Sequence, residues 1–174
     1  MGLLSSRPRS RLGLLKSYVS RQPHVSGGPL SVTIESNAKR NLFCPMCPRE
    51  TTYFPPRDMG LSLFKKIIGD GKDYLESAVP CGVSEPLLNP KLIEMISYCE
   101  NAGIPTGICT NAATLTENMS QRLISSGLVY IIFAFGGATQ AGHGIGEFSH
   151  QHAHGTQSDP LFRKDGTDSQ CVRI

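Results

Sequence analysis

Two cysteines stand three residues apart in the sequence, at a spacing that several kinds of thiol chemistry use. Cys44 and Cys47 stand in the segment N-L-F-C-P-M-C-P-R, from position 41 to 49. Such a C-x-x-C pair can supply two thiolates to an iron–sulfur cluster or a zinc ion, or it can cycle between dithiol and disulfide. Taken alone, the pair also fits two unbonded loop thiols. Its chemistry therefore depends on the elements that surround it.

The composition allows one compact domain and excludes several classes of protein. The 174 residues carry a formal net charge of +3 and are 39% hydrophobic. That is too apolar for a wholly disordered chain and too weakly basic to indicate a nucleic-acid partner. No stretch has the roughly 18 consecutive apolar residues of a membrane span. Because six cysteines occur without a secretory signal or a dense disulfide framework, we expect a reducing compartment, the cytoplasm.

Residues 1–30 form a basic arm with five cationic side chains and no acidic one. We expect this arm to lie on the surface of the domain or near anionic lipid. Two alternatives stay open. An acid-poor segment rich in arginine and serine is typical of a mitochondrial transit peptide, and Gly2 with Ser6 fits the myristoylation pattern.

Residues 139–174 differ in character from the rest of the chain. They lose hydrophobic periodicity and are rich in His, Gly and Ser, which predicts a disordered tail. The alternative is a metal site at His150, His152 and His154, because histidine-rich tracts can bind metals.

Between these two segments, residues 31–138 alternate strand and helix patterns. Apolar runs predict four strands, at 31–35, 75–79, 104–109 and 128–135. Three helices are predicted between them, beginning at Ser62, Asn89 and Thr116 and ending at Gly69, Gly103 and Gly127. This alternation is typical of βαβ units and predicts a parallel sheet.

Four segments of this region resemble, in order, the signature segments of the radical S-adenosylmethionine superfamily. They are the loop from Glu35 to Arg49 with its C-x-x-C pair, E-P-L-L-N-P at 85–90, T-N-A-A-T-L-T-E at 110–117 and I-I-F-A-F-G-G-A-T at 131–139. The resemblance implies an incomplete parallel (β/α) barrel, with about four strands and three helices of a (β/α)6 partial TIM barrel and flexible termini. The fourth strand would then lie at an edge of the sheet.

The resemblance also implies cofactors and the residues that hold them. Cys44 and Cys47 would ligate a [4Fe–4S] cluster. S-Adenosylmethionine would lie against Met46, Ser84, Glu85 and Asn111. An electron from a donor such as a flavodoxin or ferredoxin would pass through the cluster and cleave S-adenosylmethionine reductively to a 5′-deoxyadenosyl radical. The substrate stays unknown, because later strands and C-terminal domains select it in this family.

The chain departs from the family pattern at the cluster. Arg40 stands four residues before Cys44, where the family has its first cysteine, and a guanidinium has no lone pair to offer iron. Smaller departures are Val83-Ser84 for Gly-Gly, Ala112 for Gly, Ala134 for Ser and Gly137 for Asp. One hypothesis supplies a third thiolate, because Cys81 is expected at the C-terminal end of the second strand, on the same face of the barrel.

Two other functions stay open, and the sequence does not decide whether the chain is an active enzyme. The chain could be a non-catalytic, truncated remnant of the family, because several of its motif positions differ from the pattern. The segment Cys-Pro-Met-Cys also resembles a thioredoxin-type thiol–disulfide motif. Pro48, directly after Cys47, disfavours the helix that such a motif begins.

Overall fold

The computed structural model describes residues 7–42, 55–134 and 170–173. Four α-helices occur in these ranges: α1 (Arg7–Val19), α2 (Leu61–Gly71), α3 (Leu92–Asn101) and α4 (Glu117–Ser125). The strands are β1 (Ser31–Thr33), β2 (Ser77–Val79), β3 (Gly107–Thr110), β4 (Tyr130–Phe133) and β5 (Gln170–Arg173). A 3₁₀ turn, Pro86–Leu88, precedes α3.

The first four strands are parallel and follow one another in the sheet. β1 pairs with β2, and β3 pairs with β4. A parallel bridge between Ala78 and Thr106 joins the two pairs, and the Ala78 N–H donates to the carbonyl of Pro105 at 3.0 Å. Together with the alternating helices, this order confirms the predicted α/β architecture with four parallel strands.

A fifth strand lies beside β4. Residues 170–173 pair with 130–133 in antiparallel register. The expectation that the fourth strand would be an edge is therefore wrong, because the backbone groups of β4 are paired on this side too. Residues 139–169 lie outside the described residues, as do the histidines at 143, 150, 152 and 154.

The predicted helix boundaries are met at α4 and shifted at α3. Thr116 caps α4 as expected, and its Oγ1 accepts from the Met119 N–H at 3.2 Å. In contrast, Asn89 is not the cap of α3, which begins at Leu92 with Lys91 at its N-cap. The chain first winds into the 3₁₀ turn, so Asn89 ends that turn in extended backbone conformation. Its Oδ1 accepts from the Lys91 N–H at 2.8 Å.

The basic arm contains a helix that the sequence analysis did not predict. α1 has one Pro, one Gly and two Ser, which are weak helix formers, and no acid in its first turn. Tertiary contacts hold it instead. Arg11 pairs with Glu76, with Nη2 2.6 Å from Oε2, and Ser17 Oγ accepts from the Ser26 N–H at 2.8 Å.

Two hydrophobic clusters fill the space between the helices and the sheet. The first contains Ile34, Phe64, Ile68, Leu75, Ala78, Met95, Cys99 and Ile104. The second contains Leu87, Leu92, Ile96, Ile108, Leu123, Leu128, Ile131 and Phe133. α3 supplies side chains to both clusters, so this helix joins the two halves of the sheet. Among the described residues, none of the helices has the length and apolar character needed to cross a bilayer.

Candidate functional site

The candidate site lies where the parallel strands end. Ser36 follows β1, the segment from Cys81 to Glu85 follows β2, and Asn111 follows β3. Because the carboxyl ends of parallel strands meet at one edge of a sheet, these residues share that edge, where α/β proteins bind their ligands.

Glu85 is a buried carboxylate that joins two of the motif segments. Its side chain is 3% exposed. Oε1 accepts from the Leu87 N–H at 3.1 Å and from the Thr110 hydroxyl at 2.7 Å. Oε2 accepts from the Asn111 N–H at 2.9 Å. The carboxylate thus fixes the loop after β2 to the end of β3, and three donors offset part of the cost of its burial.

The backbone of Glu85 is bonded on the opposite side, to the loop after β1. Its N–H donates to the Lys39 carbonyl at 3.0 Å, and its carbonyl accepts from Asn37 Nδ2 at 2.8 Å. Asn89 fixes the same loop, because its Nδ2 donates to the Ser36 carbonyl at 2.6 Å. The three loops at this edge therefore form one hydrogen-bonded unit.

A second carboxylate, that of Glu35, binds the backbone of the loop after β2. The N–H groups of Val83 and Ser84 donate to its two oxygens at 2.9 and 3.1 Å, and the Ser84 hydroxyl also donates to it. A Cβ atom at Gly82 would lie 2.1 Å from Glu35 Oε2, so a larger residue there would displace the carboxylate from its present position. Sequence reasoning used Glu35 to identify the family but assigned it no contact. Its position at the end of the first predicted strand was the available signal.

Asn111 connects the end of β3 with the segment that leads to the C-x-x-C pair. Its Nδ2 donates to Asn41 Oδ1 at 2.9 Å, and its own Oδ1 accepts from the Ala113 N–H at 2.9 Å. Asn41 stands three residues before Cys44. Of the predicted cofactor residues, Ser84, Glu85 and Asn111 are therefore brought together, whereas Met46 lies outside the described residues.

Of the predicted cluster ligands, too, the structure describes only some. Cys44 and Cys47 lie outside the described residues, whereas Cys81 lies at the carboxyl edge and is buried. Burial raises the pKa of the Cys81 thiol, and a hydrogen bond from the backbone of Cys109 offsets part of that increase. Cys109 is half-buried, and its pKa is raised by burial and by the charge of Glu85.

The described residues at this edge do not by themselves form a cluster site. In the part of the chain that the structure describes, no three His, Cys, Asp or Glu side chains are grouped so that they could hold a metal ion. Arg40 occupies the position of the family's first cysteine and offers no electron pair. A complete set of three thiolates is thus not available from the family's own positions.

Ser36 carries an unsatisfied polar atom at the same edge. Its side chain is fully buried, and Oγ has no hydrogen-bond partner among the described residues. Buried hydroxyls are normally satisfied by protein, water or a ligand. Because the side chain is fully buried, a ligand at the surface of the edge does not contact this hydroxyl.

The chain is related in sequence to two curated proteins. It is 29% identical over 103 residues to the tungsten-containing aldehyde ferredoxin oxidoreductase cofactor-modifying protein of Pyrococcus furiosus, across 58% of this chain and 29% of that protein. It is 24% identical over 115 residues to the PqqA peptide cyclase of Bradyrhizobium diazoefficiens, across 66% of this chain and 30% of that protein. The matched part thus spans about three tenths of either relative. No protein-family model matches the chain.

The fold is similar to that of a solved enzyme structure, BtrN in complex with AdoMet and 2-DOIA. The TM-score is 0.55 at 21% identity, and the match covers 67% of this chain and 50% of that one. This likeness concerns the fold. Both curated relatives are radical S-adenosylmethionine proteins, so the resemblance that the four motif segments indicated is confirmed.

Proposed function

We propose that this chain, a partial radical S-adenosylmethionine core, binds S-adenosylmethionine at the carboxyl edge of its parallel sheet. The observation that carries the proposal is the Glu85 carboxylate, which bonds the Thr110 hydroxyl and the Asn111 N–H and so unites two motif segments 25 residues apart. A site built from three mutually bonded loops on strand ends is pre-organised for a ligand.

The chemistry of this edge is complementary to that of the ligand. S-Adenosylmethionine carries a sulfonium and an ammonium group, and the carboxylates of Glu35 and Glu85 attract both cations. The Asn111 amide, which uses one N–H on Asn41, supplies a further hydrogen bond to a neutral part of the ligand. We assign Ser84, Glu85 and Asn111 to this ligand, together with Met46.

Direct binding to the full chain tests the proposal. Equilibrium dialysis is expected to give tighter binding of S-adenosylmethionine than of S-adenosylhomocysteine, which lacks the sulfonium charge. Asn111→Ala is expected to weaken binding about tenfold, the loss that one or two hydrogen bonds produce. Asn101→Ala, an exposed asparagine on α3, is the matched control and should bind normally. No binding by the wild type, or equal loss in both variants, would overturn the proposal.

The cluster is the part of the family's chemistry that this chain does not fit. When held by three thiolates, a [4Fe–4S] cluster supplies the electron for reductive cleavage of S-adenosylmethionine. Cys44 and Cys47 offer two thiolates and Arg40 offers none. We therefore propose binding of S-adenosylmethionine without its cleavage, and we assign no redox step to the residues of this chain.

Anaerobic reconstitution with iron and sulfide tests this second part. The wild type is expected to retain little iron, and Arg40→Cys is expected to raise the iron content severalfold, because it restores the third thiolate. The variant Cys81→Ala tests whether Cys81 supplies the third thiolate in the wild type. If the wild type holds a full cluster that Cys81→Ala removes, Cys81 is the ligand and the assignment of an incomplete site is wrong.

A further inference from the structure

One face of α1 consists of three small residues and Leu14 and lies toward the rest of the chain. Ser10, Gly13, Leu14 and Ser17 follow the i, i+3, i+4, i+7 spacing of one helix face. A Cβ atom at Gly13 would lie 1.8 Å from the Ser26 carbonyl oxygen, and Ser17 bonds the Ser26 N–H. The inner face of α1 is thus fitted against the chain segment that follows it.

The outer face of α1 is an exposed apolar stripe. Leu12, Leu15, Tyr18 and Val19 are 65%, 58%, 83% and 72% exposed. Leu15 is three residues from both Leu12 and Tyr18 and four residues from Val19. The four side chains therefore adjoin one another on one surface of the helix. An apolar patch of this kind on a surface helix marks an interaction site.

The charges around the stripe identify the partner. The first 30 residues carry five basic and no acidic side chains, so the other 144 residues hold 12 basic and 14 acidic ones. The positive charge of the protein is therefore concentrated on the arm that carries the stripe. Lys16 is exposed one turn after Leu12, and Arg21 is exposed two residues after the end of α1. Arg11, one turn before Leu15, is 66% exposed although it pairs with Glu76.

We propose that α1 docks on an anionic lipid surface, with Leu12, Leu15, Tyr18 and Val19 at the acyl boundary and the basic side chains against the headgroups. Exposed apolar side chains next to Lys and Arg favour an anionic membrane in two ways, because the apolar groups leave water at the interface and the basic groups are attracted to the headgroups. The amphipathic ring of Tyr18 suits the boundary between the two layers. A second copy of the chain is a poorer partner, because two such arms would bring like charges together.

Flotation of the full chain with lipid vesicles tests the proposal. The protein is expected to float with vesicles of phosphatidylcholine and phosphatidylserine, to float poorly with phosphatidylcholine alone, and to dissociate at high salt. The double variant Leu12→Ser with Leu15→Ser is expected to lose at least about tenfold in vesicle affinity, because two exposed leucines no longer enter the interface. Far-UV circular dichroism establishes that the variant stays folded.

The matched control is Leu63→Ser on α2, whose side chain is 51% exposed and lies outside the arm. This variant should float as the wild type does. Two results would overturn the proposal: wild-type protein that fails to float with anionic vesicles, or a wild-type dimer in size-exclusion chromatography that the double variant converts to monomer. The second result would assign the stripe to another copy of the chain.

Discussion

Glu85 shows how one side chain organises the candidate site and contributes to stability. Its carboxylate is buried and accepts from Leu87, Thr110 and Asn111. Glu85→Gln replaces one accepting oxygen by an NH₂ group that faces donors, so we expect the free energy of unfolding to fall by about 2 kcal/mol. Urea denaturation measures the change. The control Glu94→Gln, in a half-exposed ion pair with Lys91, should cost only about 0.5 kcal/mol.

Ala112 occupies a backbone conformation that favours glycine. Its φ is +59°, in the left-handed region, where a Cβ atom costs roughly 1 kcal/mol. Ala112→Gly is therefore expected to stabilise the protein by about that amount, measured as a higher urea midpoint with an unchanged slope. Ala113→Gly is the neighbouring control, and it should lower stability because it only adds freedom to the unfolded chain. Stabilisation by both variants would contradict the argument.

The pairing of β3 with β4 depends on a glycine beneath an aromatic ring. Gly107 lies opposite Tyr130, and a Cβ atom at Gly107 would lie 2.1 Å from the ring carbon Cζ. Gly107→Ala forces the ring or the strand to move, so we expect a loss of about 2 kcal/mol in the free energy of unfolding. Gly69→Ala on α2 is expected to change stability in the opposite direction, by about 1 kcal/mol, because its Cβ atom would meet nothing nearer than 3.8 Å.

The sequence predicts these elements where the signals are local. Thr116 and the glycine at 127 bound α4 because capping and left-handed backbone act within one turn. The prediction is wrong for the start of α3, since an intervening 3₁₀ turn moves the helix beyond Asn89. It fails altogether for α1, whose helix is held by contacts with Ser26 and Glu76. No local signal reports such contacts.

The same holds for the candidate site. Its position is predicted from local signals, whereas its contacts between residues distant in sequence are not. The motif segments at 85–90 and 110–117 locate the carboxyl edge, because each follows an apolar run that predicts a strand. The partners of Glu85 cannot be predicted in this way, since Thr110 is 25 residues distant and becomes a neighbour only through the pairing of strands. The interaction of Glu35 with the loop after β2 spans 48 residues and was missed for the same reason.

The two hydrophobic clusters make the described core a single cooperative unit. α3 places Met95 and Cys99 in the first cluster and Leu92 and Ile96 in the second. Because one helix carries side chains of both clusters, neither half of the sheet keeps its packing when α3 unfolds. We therefore expect the two clusters to unfold in one transition, and the free energy of that transition measures the stability of the whole described core.

Three thiols that are buried or half-buried make stability depend on pH. Burial raises the pKa of Cys81, Cys99 and Cys109 above the ordinary thiol value of 9.0. Between the ordinary and the raised value, the unfolded chain has released these protons while the folded chain still binds them. The free energy of unfolding is therefore unaffected below about pH 9 and falls as the pH rises above it.

Urea denaturation at neutral and alkaline pH measures this effect of the thiols. Lysine and tyrosine side chains titrate in the same range, so the wild type is compared with a variant in which the three cysteines are alanine. Truncation lowers the stability of the variant at every pH, because it removes buried volume. The variant is nevertheless expected to lose less stability than the wild type between neutral and alkaline pH, since its core holds no thiol to ionise. Equal losses in the two proteins would show that ionisation of the buried thiols does not control the alkaline limit of the fold.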